Sequence, residues 1–279
     1  MESCDKEKIK KLKKNLEGAD LKGMDLSCMD LRNANLISAN LTAADLSGSD
    51  FSGANLFSVQ AMRANFKNTN LSGANLQKSS LIRANFEGAN LNSADLMGAN
   101  LLQAVLAGCD LIRASLVEAS LLEADLSGAD LTEAKLSGRY QREGYFSRGA
   151  NLGKGKLVGA KLIRADLVAA ELNDTDCREV DFSGANLSEA SLKQACLVST
   201  CFVNSKLGDA DFRNADLTDS DFSGAELIEA KFQGVDLRKV KNISSKELEL
   251  SIIDSKTLVP DYIEVIWTSE DTYKCREKV

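Results

Sequence analysis

A large apolar residue recurs at every fifth position over most of this 279-residue chain. One run extends from Leu16 to Leu136, and a second run begins one residue out of phase at Leu152 and continues to Leu237. Of the 43 positions in the two runs, 33 are Leu and 8 are Phe. The residue two positions earlier is usually Ala, and the residue between them is often Asp or Asn. The repeating unit is therefore A-(D/N)-L-x-x.

A period of five is incompatible with a long helix or a flat strand. A helix advances about 100° per residue, so Leu side chains at every fifth position would spiral around it. On a strand, an odd period would place alternate Leu side chains on opposite faces. The leucines share one interior only if the chain turns a corner in each unit. Ala and Leu then point inward, Asp or Asn points outward, and the two x residues form the corner.

Phenylalanine spacing indicates four corners in each coil. Phe182, Phe202 and Phe222 lie at every twentieth position, as do Phe212 and Phe232. A square coil of four units stacks each set ring over ring, which suits aromatic packing. The Phe212 column then lies on the wall opposite the Phe202 column, and we expect Leu side chains between the two columns.

The repeats resemble those of the pentapeptide-repeat family, as in the segments ANLISANLTAADLSGSDFSGANL and ADLSGADLTEAKL. The A-(D/N)-L form of the unit is similar to that of cyanobacterial members. The resemblance implies an all-β fold, a right-handed quadrilateral β-helix. Residues 16–237 then form a solenoid of about 11 coils, interrupted at about 137–151. Some family members dimerise through their C-terminal ends. Others resemble duplex DNA in width and charge and bind type II topoisomerases such as gyrase.

Both ends of a solenoid expose its core, so caps are expected. Residues 1–15 are predicted to contain a capping helix with Ile9, Leu12 and Leu16 on one side, or alternatively a membrane-surface helix. Residues 238–279 are predicted to form a C-terminal cap and tail, with a helix that starts after Ser244 or Ser245, ends at about Ile253 and precedes an apolar segment. That segment covers the last coil or forms a dimer surface: Leu258, Val259, Tyr262, Ile263, Ile266 and Trp267. We expect the last ten residues to be frayed.

The phase break is a candidate partner-binding loop. Its aromatic and basic side chains are typical of protein-binding hot spots, although they could instead pack back on the rod as a tolerated insertion. Over residues 137–161 the net charge is +5, in a chain of net charge −7. The candidate residues are Arg139, Tyr140, Arg142, Tyr145, Phe146 and Arg148.

Acidic residues concentrate at 209–229, where the predicted coil places one carboxylate on each wall. This candidate acidic ring consists of Asp211, Asp216, Asp221 and Glu226. One wall also carries the column Asp30, Asp50, Asn70, Asn90, Asp110 and Asp130. These columns either form solvated ladders of hydrogen bonds or mimic the charge of DNA.

Composition argues against catalysis, cofactors and metals. The chain has no His and no Cys pair at zinc-ligand spacing, so the usual metal ligands and general base are missing. The seven Cys do not show the spacing of a disulfide framework, and the N-terminus lacks the apolar core of a signal peptide. Both features are typical of a reduced, cytoplasmic protein. An acidic composition disfavours direct nucleic-acid binding, and no apolar stretch is long enough to span a membrane.

The sequence therefore predicts a non-enzymatic, rigid bacterial scaffold for protein–protein interaction, without a cofactor. Its partner is a protein of unknown identity, and a homodimer through the C-terminal end is possible. The alternative is a DNA mimic that binds gyrase and modulates or protects it.

Overall fold

The computed structural model describes residues 7, 9, 11–12, 14–138, 148–269 and 272–278. Through the repeats, outward-facing residues at every twentieth position form parallel bridges, such as Asp30 with Asp50 and Asp50 with Asn70. A turn occurs in every five-residue unit, so each 20-residue coil has four sides. The chain is thus a stack of square coils, and each wall is a column of residues from successive coils.

Most corners are hydrogen-bonded turns that the two x residues form. At the corner after Leu31, the N–H of Ala34 donates to the carbonyl oxygen of Leu31 at 3.0 Å, and Asn33 has a φ of 55°. A positive φ at the third turn residue is the mark of a type II turn. The outward carboxylate or amide stabilises the next corner, because the Ser52 N–H donates to Asp50 Oδ1 at 2.9 Å. This contact explains Asp and Asn between the two inward positions.

The interior is filled by the Leu and Phe side chains at the central positions of the two runs, all of them buried. The Phe66 and Phe86 rings stack with centroids 4.6 Å apart, and Phe212 and Phe232 stack at 5.1 Å. The two Phe columns of the second run also meet each other, since Phe202 and Phe212 contact edge to face at 5.8 Å. The expected layer of Leu between these columns is therefore wrong: the rings are long enough to meet across the interior.

The walls resume in register after the phase break. Ser120 bridges Asn151 across 31 positions rather than 20, so the chain leaves the wall for 11 extra residues. The exit and return points are held by Gly138 and Gly149, whose N–H groups donate to the carbonyl oxygens of Val168 and Ala169. Residues 139–147 lie outside the described part of the chain.

The C-terminal segment extends the walls beyond Leu237. Helix α1 (Ser245–Glu249) begins at the N-cap Ser244, whose hydroxyl exchanges capping-box contacts with Glu247. The helix is shorter than the predicted one, because Ile252 already bridges Lys231 in the wall. A last bridge joins Leu258 to Asp236.

An antiparallel hairpin follows the last bridge. Strand β1 (Ile263–Trp267) pairs with strand β2 (Tyr273–Glu277), with Val265 opposite Cys275. The tail is therefore not frayed where it forms β2, because that strand pairs along its length and the Tyr273 hydroxyl donates to the carbonyl oxygens of Leu248 and Ser251.

At the N-terminal end, residues 7, 9, 11 and 12 are helical, and the other residues before Lys14 lie outside the described part. Ile9 is buried against the core, but Leu12 is 46% exposed and does not share the buried side with it. No helix within the described residues is long and apolar enough to cross a membrane.

Candidate interaction surfaces

The predicted partner-binding loop falls largely outside the described residues. Arg139, Tyr140, Arg142, Tyr145 and Phe146 belong to the segment that is not described. Arg148 is described, and its side chain is 86% exposed with a guanidinium nitrogen 3.1 Å from Glu171 Oε1. An exposed ion pair of this kind contributes little to stability.

Much of the positive charge near the loop belongs to the walls. Lys156 bridges Asp125 in the preceding coil and Asp176 in the following coil. Lys161 lies in the same way between Asp130 and Asp181, with its Nζ 3.8 Å from Asp130 Oδ2. These lysines separate aspartates that would otherwise stack about 4.8 Å apart. The positive charge available to a partner is therefore smaller than the net charge of +5 over residues 137–161 indicates.

The four residues of the acidic ring lie one on each wall of a single coil, as their different bridge partners show. Their surroundings differ, however. Three of the columns place lysine in an adjacent coil: Lys231 beside Asp211, Lys241 beside Asp221 and Lys206 beside Glu226. Asp216 instead follows Cys196 in its column and accepts hydrogen bonds from Thr218.

Asp211 is the most strongly held carboxylate of the ring. Arg213 contacts it through two nitrogens, at 2.9 and 2.7 Å, and Lys193 Nζ lies 3.2 Å away. Burial by itself would raise the pKa of Asp211, but the hydrogen bonds from Arg213 and Lys193 outweigh it and lower the pKa to about 2. Burial also opposes the shift at Asp221, whose pKa is lowered by hydrogen bonds from Asn242 and Ser223. The ring is thus partly neutralised by its own coil and its neighbours.

In the column from Asp30 to Asp130, a side-chain hydrogen bond joins successive coils at Asp50 and Asn70. Asn70 Nδ2 donates to Asp50 Oδ1 at 3.1 Å, and the same oxygen accepts the turn N–H of Ser52. The column then continues with Lys161 after Asp130. Amides and a lysine therefore interrupt the acidic wall, and its carboxylates also serve to stabilise corners.

The candidate C-terminal surface divides into buried and exposed residues. Ile263 is 1% exposed and Val259 packs against the core, so these two side chains cover the end of the solenoid. The other four residues expose between 38% and 44% of their surface: Leu258, Tyr262, Ile266 and Trp267. The segment therefore has one face that packs against the core and one face that leaves four apolar side chains accessible.

A groove that the sequence analysis did not select runs along one corner of the first run of coils. It encloses about 290 Å³, with Thr42 at one end. We refer to this site as the corner groove, and it is lined by Met62, Arg63, Ile82, Arg83, Leu102 and Gln103. Residues 51–86 contain four Lys or Arg and no Asp or Glu, and this gap in the acidic residues is the sequence signal that could have revealed it.

Within the described residues, no group of three or more His, Cys, Asp or Glu is placed to hold a metal ion. The buried thiol of Cys109 is far from reactive, because burial raises its pKa to about 12.

Comparison with known proteins agrees with the stacked coils. The model of the pentapeptide repeats (8 copies) matches residues 15–56, 64–103, 99–138, 170–209 and 205–241, which is more than half of the chain. This match indicates no enzymatic family. Comparison with curated proteins gave no significant match.

Solved structures of the same repeat type are similar over most of the chain. HetL, a pentapeptide repeat protein involved in heterocyst differentiation regulation in the cyanobacterium Nostoc sp. strain PCC 7120, is 29% identical. The alignment covers 82% of this chain and 96% of HetL, with a TM-score of 0.43. QnrB1, a plasmid-mediated fluoroquinolone resistance protein, is 19% identical over 73% of this chain and 87% of its own, with a TM-score of 0.38.

The family match rests on the repeats themselves, and the bridges between successive coils show the quadrilateral coil that such repeats form. The chain belongs to the pentapeptide-repeat family, whose members are right-handed quadrilateral β-helices.

Proposed function

We propose that this chain is a rigid, non-catalytic scaffold that binds another protein. The observation that carries the proposal is the concentration of exposed apolar side chains on the C-terminal hairpin and the turn before it. Leu258, Tyr262, Ile266 and Trp267 remain exposed although Ile263 beside them is buried. Exposed apolar patches of this kind are typical of protein contact sites.

The rod keeps such a surface in a fixed geometry. Each wall residue is hydrogen-bonded to the coils before and after it, as for Asp50 with Met29 and Phe51 with Asn70. Side chains on different coils therefore hold constant separations. A rigid surface binds with a smaller loss of conformational entropy than a flexible one.

A second copy of the chain is the simplest occupant of the C-terminal surface. The test is sedimentation velocity of the wild type and of Ile266→Asp/Trp267→Ser, over a range of concentrations. We expect the wild type to dimerise and the variant to remain monomeric. The matched control is Ile228→Asp, which alters an exposed apolar residue of a corner and should dimerise like the wild type. A wild type that stays monomeric assigns this surface to a different partner.

The scaffold proposal is tested separately by chemical crosslinking in cells of the source organism, followed by purification. We expect a protein partner whose recovery falls when the C-terminal surface is altered or residues 139–149 are deleted. Equal recovery with both variants would contradict these surfaces as partner sites.

The alternative, a DNA mimic that binds gyrase, has weaker support. The net charge of −7 of the whole chain favours it. Lys161 and the paired Asp211 reduce the continuous negative charge that duplex DNA presents. A supercoiling assay with purified gyrase tests this alternative, and we expect no inhibition at micromolar concentrations of the chain.

A further inference from the structure

We propose that the corner groove binds an acidic, amphipathic peptide segment of a partner protein. This inference rests on the proposed scaffold function and names a different surface from those discussed above. The groove has two parallel rows, one apolar and one polar, and each coil contributes one residue to each row. The apolar row is Met62, Ile82 and Leu102, and the polar row is Arg63, Arg83 and Gln103.

The apolar row is accessible although it is hydrophobic. Met62 is 38% exposed, and Ile82 and Leu102 are partly exposed. These residues occupy the first turn position, where other corners carry Ser47, Ser52 or Ser72. The fold therefore does not require an apolar side chain here. A flexible thioether next to branched aliphatic groups adapts well to a partner's side chains.

The two arginines of the polar row carry positive charge that no acidic side chain of the described residues neutralises. No carboxylate lies within ion-pair distance of Arg63 or Arg83 in the part of the chain that the structure describes. Arg83 Nε donates to the neutral Gln103 side chain at 2.6 Å, and Gln103 in turn donates to Glu123. Because the two arginines occupy successive coils, their Cα atoms are about 4.8 Å apart. One carboxylate, or two adjacent carboxylates, can engage both guanidinium groups.

The walls on both sides of the groove are uncharged at the same level. One wall presents Gln60, Ser80 and Asn100, and the other presents Asn65, Asn85 and Val105. Val105 is 37% exposed and extends the apolar surface beyond the corner. Three successive coils without an acidic residue on this corner or on the two walls beside it, and with two arginines, are complementary to a negative partner.

Charge also decides against occupants from this chain. The segment 139–147 contains two arginines and one glutamate, and the segment 1–15 contains six lysines and three acids, so both have the same sign as the groove. The groove spans four stacked corners, from Thr42 to Leu102, or roughly 14 Å. This length suits a short linear segment rather than a domain surface. The apolar row is a feature that a nucleic-acid phosphate backbone would not use.

Peptide display against the immobilised full-length chain tests the proposal. We expect the enriched peptides to combine Asp or Glu with Leu, Ile, Met, Phe or Trp. A synthetic copy of the best peptide should bind at least tenfold more weakly to Arg63→Glu/Arg83→Glu and to Met62→Ser/Ile82→Ser. Both variants should fold, because Glu118, Glu123 and Glu133 already occupy the second turn position with positive φ, and serine already occupies the first turn position at Ser47, Ser52 and Ser72.

The matched control is Lys239→Glu/Lys274→Glu, which makes the same change in net charge at the other end of the rod and should bind within twofold of the wild type. Melting curves of each variant show that the fold is retained.

Three outcomes would overturn the proposal. The first is that no peptide is enriched, or that the enriched peptides lack acidic residues. The second is that the groove variants bind the peptide normally, while deletion of residues 139–149 abolishes binding; this result would leave the scaffold function intact. The third is that a fluorescent single-stranded DNA binds with a dependence on Arg63 and Arg83 but not on Met62 and Ile82.

Discussion

The ring centroids of Phe202 and Phe212 lie 5.8 Å apart, and the ring planes are nearly perpendicular, at 88°. This contact joins two walls that face each other across the interior. Phe212 also contacts Phe222 edge to face and stacks on Phe232. The second half of the solenoid is therefore joined by a network of rings, in addition to the ladder of backbone hydrogen bonds.

Replacement of Phe212 should destabilise the chain more than replacement of an aromatic residue with one ring neighbour. We expect Phe212→Ala to cost about 3–5 kcal/mol in the free energy of unfolding, since it leaves a cavity. Phe66→Ala should cost less by about 1 kcal/mol or more, because Phe66 stacks with Phe86 only among the described rings. Urea denaturation followed by circular dichroism measures both values. Equal costs would show that the ring network adds nothing beyond burial.

Deletion of residues 139–149 should leave a folded rod. The deletion joins Gly138 to Ala150, and the sequence Leu-Ser-Gly-Ala-Asn-Leu then follows the repeat without interruption. The Ala150 N–H already donates to the Leu136 carbonyl oxygen at 2.7 Å, which is the usual corner contact. We expect an unchanged or higher melting temperature, because a shorter connection loses less entropy on folding. A large fall in melting temperature would mean that the loop packs on the rod.

Gly149→Ala should destabilise the return from the loop. A Cβ atom at this position would lie 2.8 Å from the Leu136 carbonyl oxygen and 2.8 Å from the Ala170 nitrogen, and both are backbone atoms that cannot move easily. We expect a cost of about 1–3 kcal/mol. The control is Gly208→Ala, whose Cβ would meet nothing closer than 3.6 Å. If the two variants melt at the same temperature, the corner relaxes more freely than its contacts indicate.

The stabilisation that Asp211 provides should depend on pH in the acid range. Its pKa of about 2 in the folded chain is lower than the value of about 3.9 in an unfolded chain. The carboxylate therefore stabilises the fold fully above about pH 4, and this contribution is lost as the pH falls from about 4 towards 2.

At pH 7 we expect Asp211→Asn to cost about 1.5–3 kcal/mol, because Arg213 and Lys193 lose their charged partner. The free energies of unfolding of the variant and the wild type, measured by urea denaturation at several pH values, should become more similar below pH 4. Asp216→Asn removes a carboxylate of the same ring that has no cation partner among the described residues, and it serves as the control. A difference that stays constant down to pH 2 would contradict the ion-pair explanation.

Two substitutions in strand β1 should separate the cap from the contact surface. Ile263→Asp places a charge where the side chain is 1% exposed, so we expect a loss of several kcal/mol or an unfolded C-terminal segment. Ile266→Asp changes a residue that is 41% exposed and should leave the melting temperature within a few degrees. Amide hydrogen exchange of the hairpin distinguishes the two results. Similar effects of both substitutions would mean that Ile266 also covers the core.

Some features of this protein follow from the sequence alone because they repeat. A stacked square coil accounts at once for Leu at every fifth position, Ala two residues before it and Phe at every twentieth position. This conclusion does not depend on the surroundings of each unit. The same regularity located the phase break between Leu136 and Leu152. Local periodicity was sufficient there, because each unit contacts its neighbours in nearly the same way.

The tertiary structure decided what depends on neighbours in other coils. It placed Lys156 between Asp125 and Asp176, surrounded Asp211 with Arg213 and Lys193, and left the side chains of Met62, Ile82 and Leu102 accessible along a groove. It also divided the C-terminal apolar segment into a buried face and an exposed face. These relationships depend on the register across the insertion and on side-chain contacts between coils. Charge, burial and exposure at a surface are sums over such contacts, so the period of the repeat could not determine them.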